Sequence, residues 1–388
     1  MSALAVALAN LGDEVTGADR TLGTPNIRFL ESLGIKCYPD DGTGVDGTVD
    51  EVIVSTAIEE SNAGLKMAKA FGLPVTHRAV ALSRALAGKK LVAVVGTCGK
   101  STVTAMLGHI LAECGLDPLC VNGANVPGWD GAVRFGRGEY AVAEVDESDK
   151  SLVAFHPYAA IVTNSSADHY SKDEMDRVFD DFIKDMRGPL VDGRAGFETM
   201  DVPLQMPGLH NLQNATLAVK MAVALGCDEK TACEALGTFR GVERRMQRYG
   251  SKVYDDYAHN PEKLKALITT LAQVHNDGGV CVLWRPHGYG PLKKMREALA
   301  DIFNSTIRER DKLLLLPVYD AGGTAERTVR SEDLLDMLRP GIALCVEDID
   351  AAYEWMSRRH DNFAAFAVCG ARDPQLPGLA LRLSRAMD

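Results

Sequence analysis

The chain has 388 residues, of which 46% are hydrophobic and 24% charged, with a formal net charge of −11. That length and apolar content suit two or three folded domains with sizeable cores and exclude a disordered chain. The acidic balance argues against broad nucleic-acid binding, which needs a positive groove along the phosphates, and no apolar run reaches the roughly 18 residues of a membrane span.

Strand-like and helix-like segments alternate along the chain, which predicts an α/β protein with parallel sheets. Nine scattered cysteines without a CxxC pair favour a reducing, cytoplasmic setting over a disulfide framework or structural zinc. Residues 1–87 are expected to form one unit. The opening MSALAVALANLGDEV has no basic leader region and is read as a helix over residues 2–11. A strand around 14–17 ends at Asp19, a helix covers 24–33, and strands follow at 35–38 and 51–55, the last a buried one. This is the rhythm of a nucleotide-binding unit, which normally opens with a strand and a Gly-rich turn before its first helix. Here the chain starts within the helix, so the unit is expected to be incomplete at its N-terminus.

Residues 88–241 form the second expected unit. Leu91–Val95 is a continuous apolar strand, and Gly96-Thr97-Cys98-Gly99-Lys100-Ser101-Thr102 follows it. Next comes a helix with Val103, Met106, Leu107, Ile110 and Leu111 at helical spacing, which predicts an amphipathic element. Glycines let backbone N–H groups curl around phosphate oxygens, and the helix N-terminus adds its partial positive charge. Lys100 can reach the terminal phosphates of a nucleotide, and the Ser101 hydroxyl can ligate Mg²⁺. A merely connecting glycine turn is the bland alternative, and the coincidence of strand, GKS and helix disfavours it. Cys98 is read as a small loop residue, since no base adjoins it.

A second buried strand, Tyr140–Val145, runs into Glu144-Val-Asp146-Glu147-Ser148-Asp149. Glu144 lies within the apolar run and is the best Mg²⁺ candidate; Asp149 fits a solvated acidic turn. A third strand, Ala159–Thr163, delivers Asn164 and, a few residues on, Asp168 and His169 to its C-terminal edge, where α/β ligands bind. His169 is either a plain loop residue or a second metal ligand. Pro207-Gly208 precedes a helix from about His210, which puts Asn211 and Asn214 on one face. Their amides can meet an adenine edge or simply cap the helix.

Residues 242–388 form the third expected unit, with strands at 251–255, 280–284, 312–318 and 366–368. Before them, Arg244-Arg245-Met-Gln-Arg248 is a basic patch in an acidic protein and suits phosphate contact, or else a solvated charge run. The run Asp255-Asp256-Tyr257-Ala-His259-Asn260-Pro261 closes the first of these strands, and an Asp there can hold ribose hydroxyls.

In order along the chain, GTCGKST, EVDESD, VTNSSADH, GLHNLQNA, GVERRMQRYG and DDYAHNP resemble the motifs of the Mur ligases. The EVDESD and RRMQRYG segments are most similar to the alanine-adding branch. The resemblance implies a three-domain architecture: a UDP-sugar domain, a P-loop ATPase centre and a C-terminal amino-acid domain. It implies ATP and Mg²⁺ as cofactors, and UDP-N-acetylmuramate and an amino acid, L-alanine, as substrates. It also implies an acyl-phosphate intermediate in peptidoglycan precursor synthesis and a monomer or homodimer.

Carried over by motif, Gly96, Thr97, Gly99, Lys100, Ser101 and Thr102 cradle the phosphates. Ser101, Glu144 and His169 bind metal. Asn211 and Asn214 face the adenine, Arg245 reaches the phosphates, and Asp256 holds the ribose. Tyr257 and His259 lie where nucleotide and amino acid meet, and Asp19 and Ser55–Ile58 match positions near the uridine and its phosphates. The chain departs from the family pattern where the run PHRYSRT reads Pro286-His287-Gly288-Tyr289-Gly290-Pro291-Leu292, so that two basic positions are lost. It is also short between Met186 and Gly208. The alternatives are another acceptor within the same family, such as a murein tripeptide or a different amino acid, or a non-catalytic nucleotide-binding relative. An oxidoreductase is disfavoured because the first unit holds no GxGxxG.

Overall fold

Two continuous apolar runs, at residues 91–95 and 280–284, lie inside two six-stranded sheets. Strands this uniformly apolar need cover on both faces, which helices provide. The structure, a computed structural model, describes residues 1–146, 151–165, 172–320 and 326–387. The chain divides into two units, Met1–Gln205 with Asn211–Val242, and Met206–His210 with Glu243–Asp388.

The first unit opens with α1 (Ser2–Leu11), β1 (Thr16–Asp19), α2 (Pro25–Ser32) and β2 (Lys36–Pro39), and β1 pairs with β2 in parallel. Thr24 caps α2 through its hydroxyl, and Pro25 occupies the first turn. Next come β3 (Val52–Val54), α3 (Ala63–Phe71), β4 (Val75–His77) and α4 (Arg78–Leu86), with β3 and β4 forming a second parallel pair. The strand expected at 51–55 is therefore present but shorter, and half-buried rather than buried. One apolar cluster joins Val6, Ile27 and Leu30 to Leu91, Ala93, Leu119 and Phe179.

The large sheet of this unit follows: β5 (Lys90–Val95), α5 (Lys100–Glu113), β6 (Leu119–Val121), β7 (Val133–Arg134), β8 (Tyr140–Glu144), β9 (Ala159–Val162), α6 (Lys172–Ile183) and β10 (Leu190–Asp192). Its order is β10-β9-β5-β8-β6-β7, parallel except for β7. Helices α7 (Leu209–Ala224) and α8 (Glu229–Ala235) complete it. The expected amphipathic helix after the glycine loop is instead buried nearly all round, from Ser101 to Leu111, because α5 is covered by β8 on one side and α8 on another.

The second unit contains β11 (Gln247–Tyr249), β12 (Val253–Asp256), α9 (Pro261–Val274), β13 (Val280–Trp284), α10 (Tyr289–Thr306), β14 (Lys312–Leu315), α11 (Ser331–Leu335), β15 (Ala343–Cys345), α12 (Ile349–Ser357), β16 (Ala365–Cys369) and α13 (Leu376–Met387). The order is β11-β12-β16-β13-β14-β15, with only β11 antiparallel. One face packs Trp284, Leu267, Leu271, Leu299 and Phe303 beneath α9 and α10. The other packs Leu283, Phe366, Met356, Leu379 and Leu383 beneath α12 and α13. Alternate side chains of each strand feed the two layers, which is the pattern of a doubly wound sheet. Among the described residues no helix is long and apolar enough to cross a membrane.

Candidate active site

The glycine loop leaves the C-terminal end of β5 and enters α5, and the neighbouring strand β9 holds it in shape. Thr163 Oγ1 donates to the Cys98 carbonyl at 2.6 Å, and Asn164 Nδ2 donates to the same oxygen at 2.9 Å. Asn164 Oδ1 accepts from Thr97 Oγ1 at 2.6 Å and from the Cys98 N–H at 3.1 Å. Two side chains at the end of β9 thus fix Thr97 and Cys98, leaving Gly99 at φ 85° to cap the helix. A methyl group at Gly99 would sit 2.5 Å from Asn214 Oδ1, so Asn214 on α7 lies against the loop only because position 99 has no side chain. Lys100 Nζ donates to the Gly96 carbonyl at 2.7 Å, which folds the ammonium over its own loop. Ser101 and Thr102 are buried in the first turn of α5.

The parallel register sets Val94 of β5 against Glu144 of β8, so Glu144 ends its strand level with the start of the loop. Its Oε2 accepts the Gly123 N–H at 2.8 Å, and a Cβ at Gly123 would fall 2.4 Å from that oxygen. No cationic side chain among the described residues lies within ion-pairing distance of Glu144. A partly buried carboxylate left in that state, beside a phosphate loop, has the donor chemistry of a hard-cation ligand. Asn211 and Asn214 are both buried on α7, 2% and 8% exposed. His169 and Asp168, like Glu147, Ser148 and Asp149, lie outside the described residues.

In the second unit, β12, β16 and β13 end level, with Asp256 and Trp284 both opposite Cys369. Asp256 is buried, and its two oxygens accept the N–H groups of Met246 and Ala258, each at 2.7 Å. It therefore fastens the turn that carries Tyr257. Burial raises its carboxyl above the usual range, against the pull of Arg245 and these two bonds. Burial likewise pushes Asp255 up to about 6 despite Arg244 at 3.2 Å.

Arg244 and Arg245 flank the Tyr257 ring, with their guanidinium carbons 5.2 and 5.4 Å from its centroid. Arg244 is tied to Asp255 and to the Gly370 carbonyl, whereas among the described residues Arg245 has no carboxylate at ion-pairing distance. The His259 ring sits 4.8 Å from that of His287, edge to face, and its Nδ1 is 2.9 Å from the Tyr257 carbonyl. A carbonyl only accepts, so Nδ1 carries the proton and Nε2 is left as an acceptor.

Burial first, then Lys263, His287 and Arg245, push His259 down to about 4. It is a neutral imidazole throughout the neutral range. A histidine depressed in this way contributes stability that is complete above its ordinary value near 6.5 and is lost as pH falls toward 4. Asp255 works in the opposite direction, so the histidine term is isolated by difference. On going from pH 7 to pH 4.5, His259→Asn should lose about 2 kcal/mol less unfolding free energy than the parent protein. Urea titrations at the two pH values measure this, and equal losses would remove His259 from the account.

The structure thus brings Gly96–Thr102, Glu144, Asn164 and Asn214 together in the first unit, and Arg245, Asp256, Tyr257 and His259 in the second. Sequence reasoning missed the roles of Thr163, Asn164 and Gly123 as holders of the loop and the acid. Their signal was the polar step at the end of each apolar strand.

A buried parallel strand, a clamped glycine loop with its lysine, and an acid at the end of the adjacent strand define a P-loop nucleotide-binding protein. The Mur ligase family catalytic-domain model matches residues 1–90, and the Mur ligase glutamate ligase domain model matches residues 244–372. The chain is 31% identical to the UDP-N-acetylmuramate–L-alanine ligase of Solidesulfovibrio magneticus, over 86% of this chain and 84% of that one. It is 32% identical to the enzyme of the same name from Paenarthrobacter aurescens, over 83% and 81%. The chain belongs to the Mur ligase family. Its fold is similar to the crystal structure of UDP-N-acetylmuramate–alanine ligase from Thermotoga maritima, with a TM-score of 0.81, 24% identity, and coverage of 100% of this chain and 95% of that one. It is also similar to a murein peptide ligase from Psychrobacter arcticus, with a TM-score of 0.67, 21% identity, and coverage of 100% and 96%.

Proposed function

We propose that the protein joins L-alanine to UDP-N-acetylmuramate at the cost of ATP, in the cytoplasm. The observation that carries the reading is the loop 96–102, fixed by Thr163 and Asn164, with Glu144 ending the adjacent strand level with it. The names of the curated relatives support alanine as the acceptor. Residues 1–87 are assigned to the UDP-sugar, 88–241 to ATP and 242–388 to the amino acid.

A carboxylate resists amine attack until one of its oxygens becomes a good leaving group. The muramate carboxylate oxygen attacks the γ-phosphorus, the bond to the bridging oxygen breaks, and ADP leaves. The uncharged amine of alanine then adds to the acyl carbon, its nitrogen gives up a proton to solvent, and phosphate departs with the electrons of the C–O bond. The chain's own contribution is positioning and charge. Backbone N–H groups of residues 97–102 and the Lys100 ammonium hold the triphosphate. Asn211 and Asn214 are assigned to the base, Arg245 to the transferring phosphoryl group and Asp256 to the ribose. Ser101 and Glu144, with His169, are assigned to Mg²⁺, which supplies neutralisation of phosphate charge when bound.

Phosphate release from ATP with UDP-N-acetylmuramate and a panel of amino acids tests the reading. Release that depends on L-alanine is expected. Failure of every amino acid in the panel to stimulate release would refute ligation, and release with a different one would reassign the acceptor.

A further inference from the structure

The ends of β12, β16 and β13 stand side by side, so the loops after them share one edge of the sheet. The outer two present His259 and His287, whose rings touch. The middle one, Gly370-Ala371-Arg372-Asp373, carries an arginine at φ 64°, a left-handed backbone that a non-glycine side chain disfavours. Position 288, in the loop after β13, is a glycine. A Cβ built on Gly288 would lie 4.0 Å from Arg372 Nη1. The guanidinium of Arg372 therefore occupies the neighbourhood that a side chain at 288 would enter, and it arrives from a different strand end.

Nearby guanidinium groups other than Arg245, which is assigned to the phosphoryl group, are already committed. Arg285 is 2.6 Å from Asp373, Arg244 is bound to Asp255, and Arg327 is 2.7 Å from Asp320. Paired charges of this kind offer little net field to an anion. Arg372 is exposed and has no hydrogen-bond or ion-pair partner among the described residues. Its planar fork matches a carboxylate in two parallel bonds.

We propose that Arg372 binds the α-carboxylate of the incoming amino acid and determines specificity for it. This rests on the ligase reading above. The arginine reaches the space beside Gly288 from the end of β16.

The test compares the parent protein with Arg372→Gly and Arg372→Lys in the phosphate-release assay, with L-alanine or L-alaninamide as acceptor. Loss of a charge-assisted pair should raise the KM for L-alanine on the order of ten- to a hundredfold in Arg372→Gly and leave the KM for ATP unchanged. The parent's preference for L-alanine over the amide should fall by the same factor, and lysine should restore part of it. Glycine relieves the left-handed backbone, so the thermal midpoint of that variant should equal or exceed the parent's, which separates lost recognition from misfolding. An unchanged KM for L-alanine in an active variant, or a rise in the KM for ATP instead, overturns the assignment. A parent protein that releases no phosphate with any amino acid overturns the ligase reading, and the assignment with it.

Discussion

Lys100→Ala is expected to lower ATP-dependent phosphate release roughly a thousandfold while costing about 1 kcal/mol of stability or less. The two magnitudes differ because groups other than the lysine hold the loop in shape. Its ammonium donates to the Gly96 carbonyl at 2.7 Å, and such a bond is worth little net of water. The loop itself is held by Thr163 and Asn164, which the substitution leaves untouched. Removing the ammonium takes away the only mobile positive charge in the loop, at the point where charge builds on the transferring phosphoryl group. Equilibrium binding of ATP with magnesium, a turnover assay and a urea titration read the three quantities separately. A variant that binds and turns over like the parent would show that this loop does not hold the triphosphate.

Much of this arrangement was legible in the sequence, and the parts that were not share a cause. The runs 91–95 and 280–284 declare themselves as buried strands because every residue is apolar and each run is short. The loop residues follow from the glycines and the lysine at the strand end. By contrast, the all-round burial of α5 was hidden by Ser101, Thr102 and Thr104, which read as a polar face but lie inside the protein. Gly99 looked like a glycine needed for phosphate approach; it is also needed because Asn214, far along the chain, packs against it. Asp256 read as a ribose ligand, yet its two hydrogen bonds to Met246 and Ala258 show a turn to be fastened before any ligand is met. Arg372 carried no local signal at all, since its neighbours become visible only when β16 is known to lie between β12 and β13. Local chemistry can be read from a string, whereas partners supplied by another strand or helix require the sheet order.

The same loop yields a second large effect of a different kind. Gly96→Ala is expected to destabilise the protein by about 3 kcal/mol or more and to abolish nucleotide binding. Position 96 has φ 128°, outside the range that alanine accepts without strain. The added methyl carbon would lie 2.1 Å from Thr163 Oγ1, 2.9 Å from the Asn164 carbonyl oxygen and 3.0 Å from the Asn164 nitrogen. Thr163 cannot simply turn away, because the same hydroxyl holds the Cys98 carbonyl at 2.6 Å. The backbone at Asn164 cannot retreat either, since Val162 is in register with Val95 in the sheet. Either the hydroxyl leaves, and the loop loses one of its two clamps, or the strand end moves and the ladder beside it breaks. Gly290→Ala is the matched control: that glycine lies in the first turn of α10 with open space where its Cβ would be, so alanine should add up to about 1 kcal/mol. Urea midpoints for the two variants should therefore move in opposite directions. A Gly96→Ala protein that unfolds at the parent's midpoint and still binds ATP would mean that the loop does not pass this close to the end of β9.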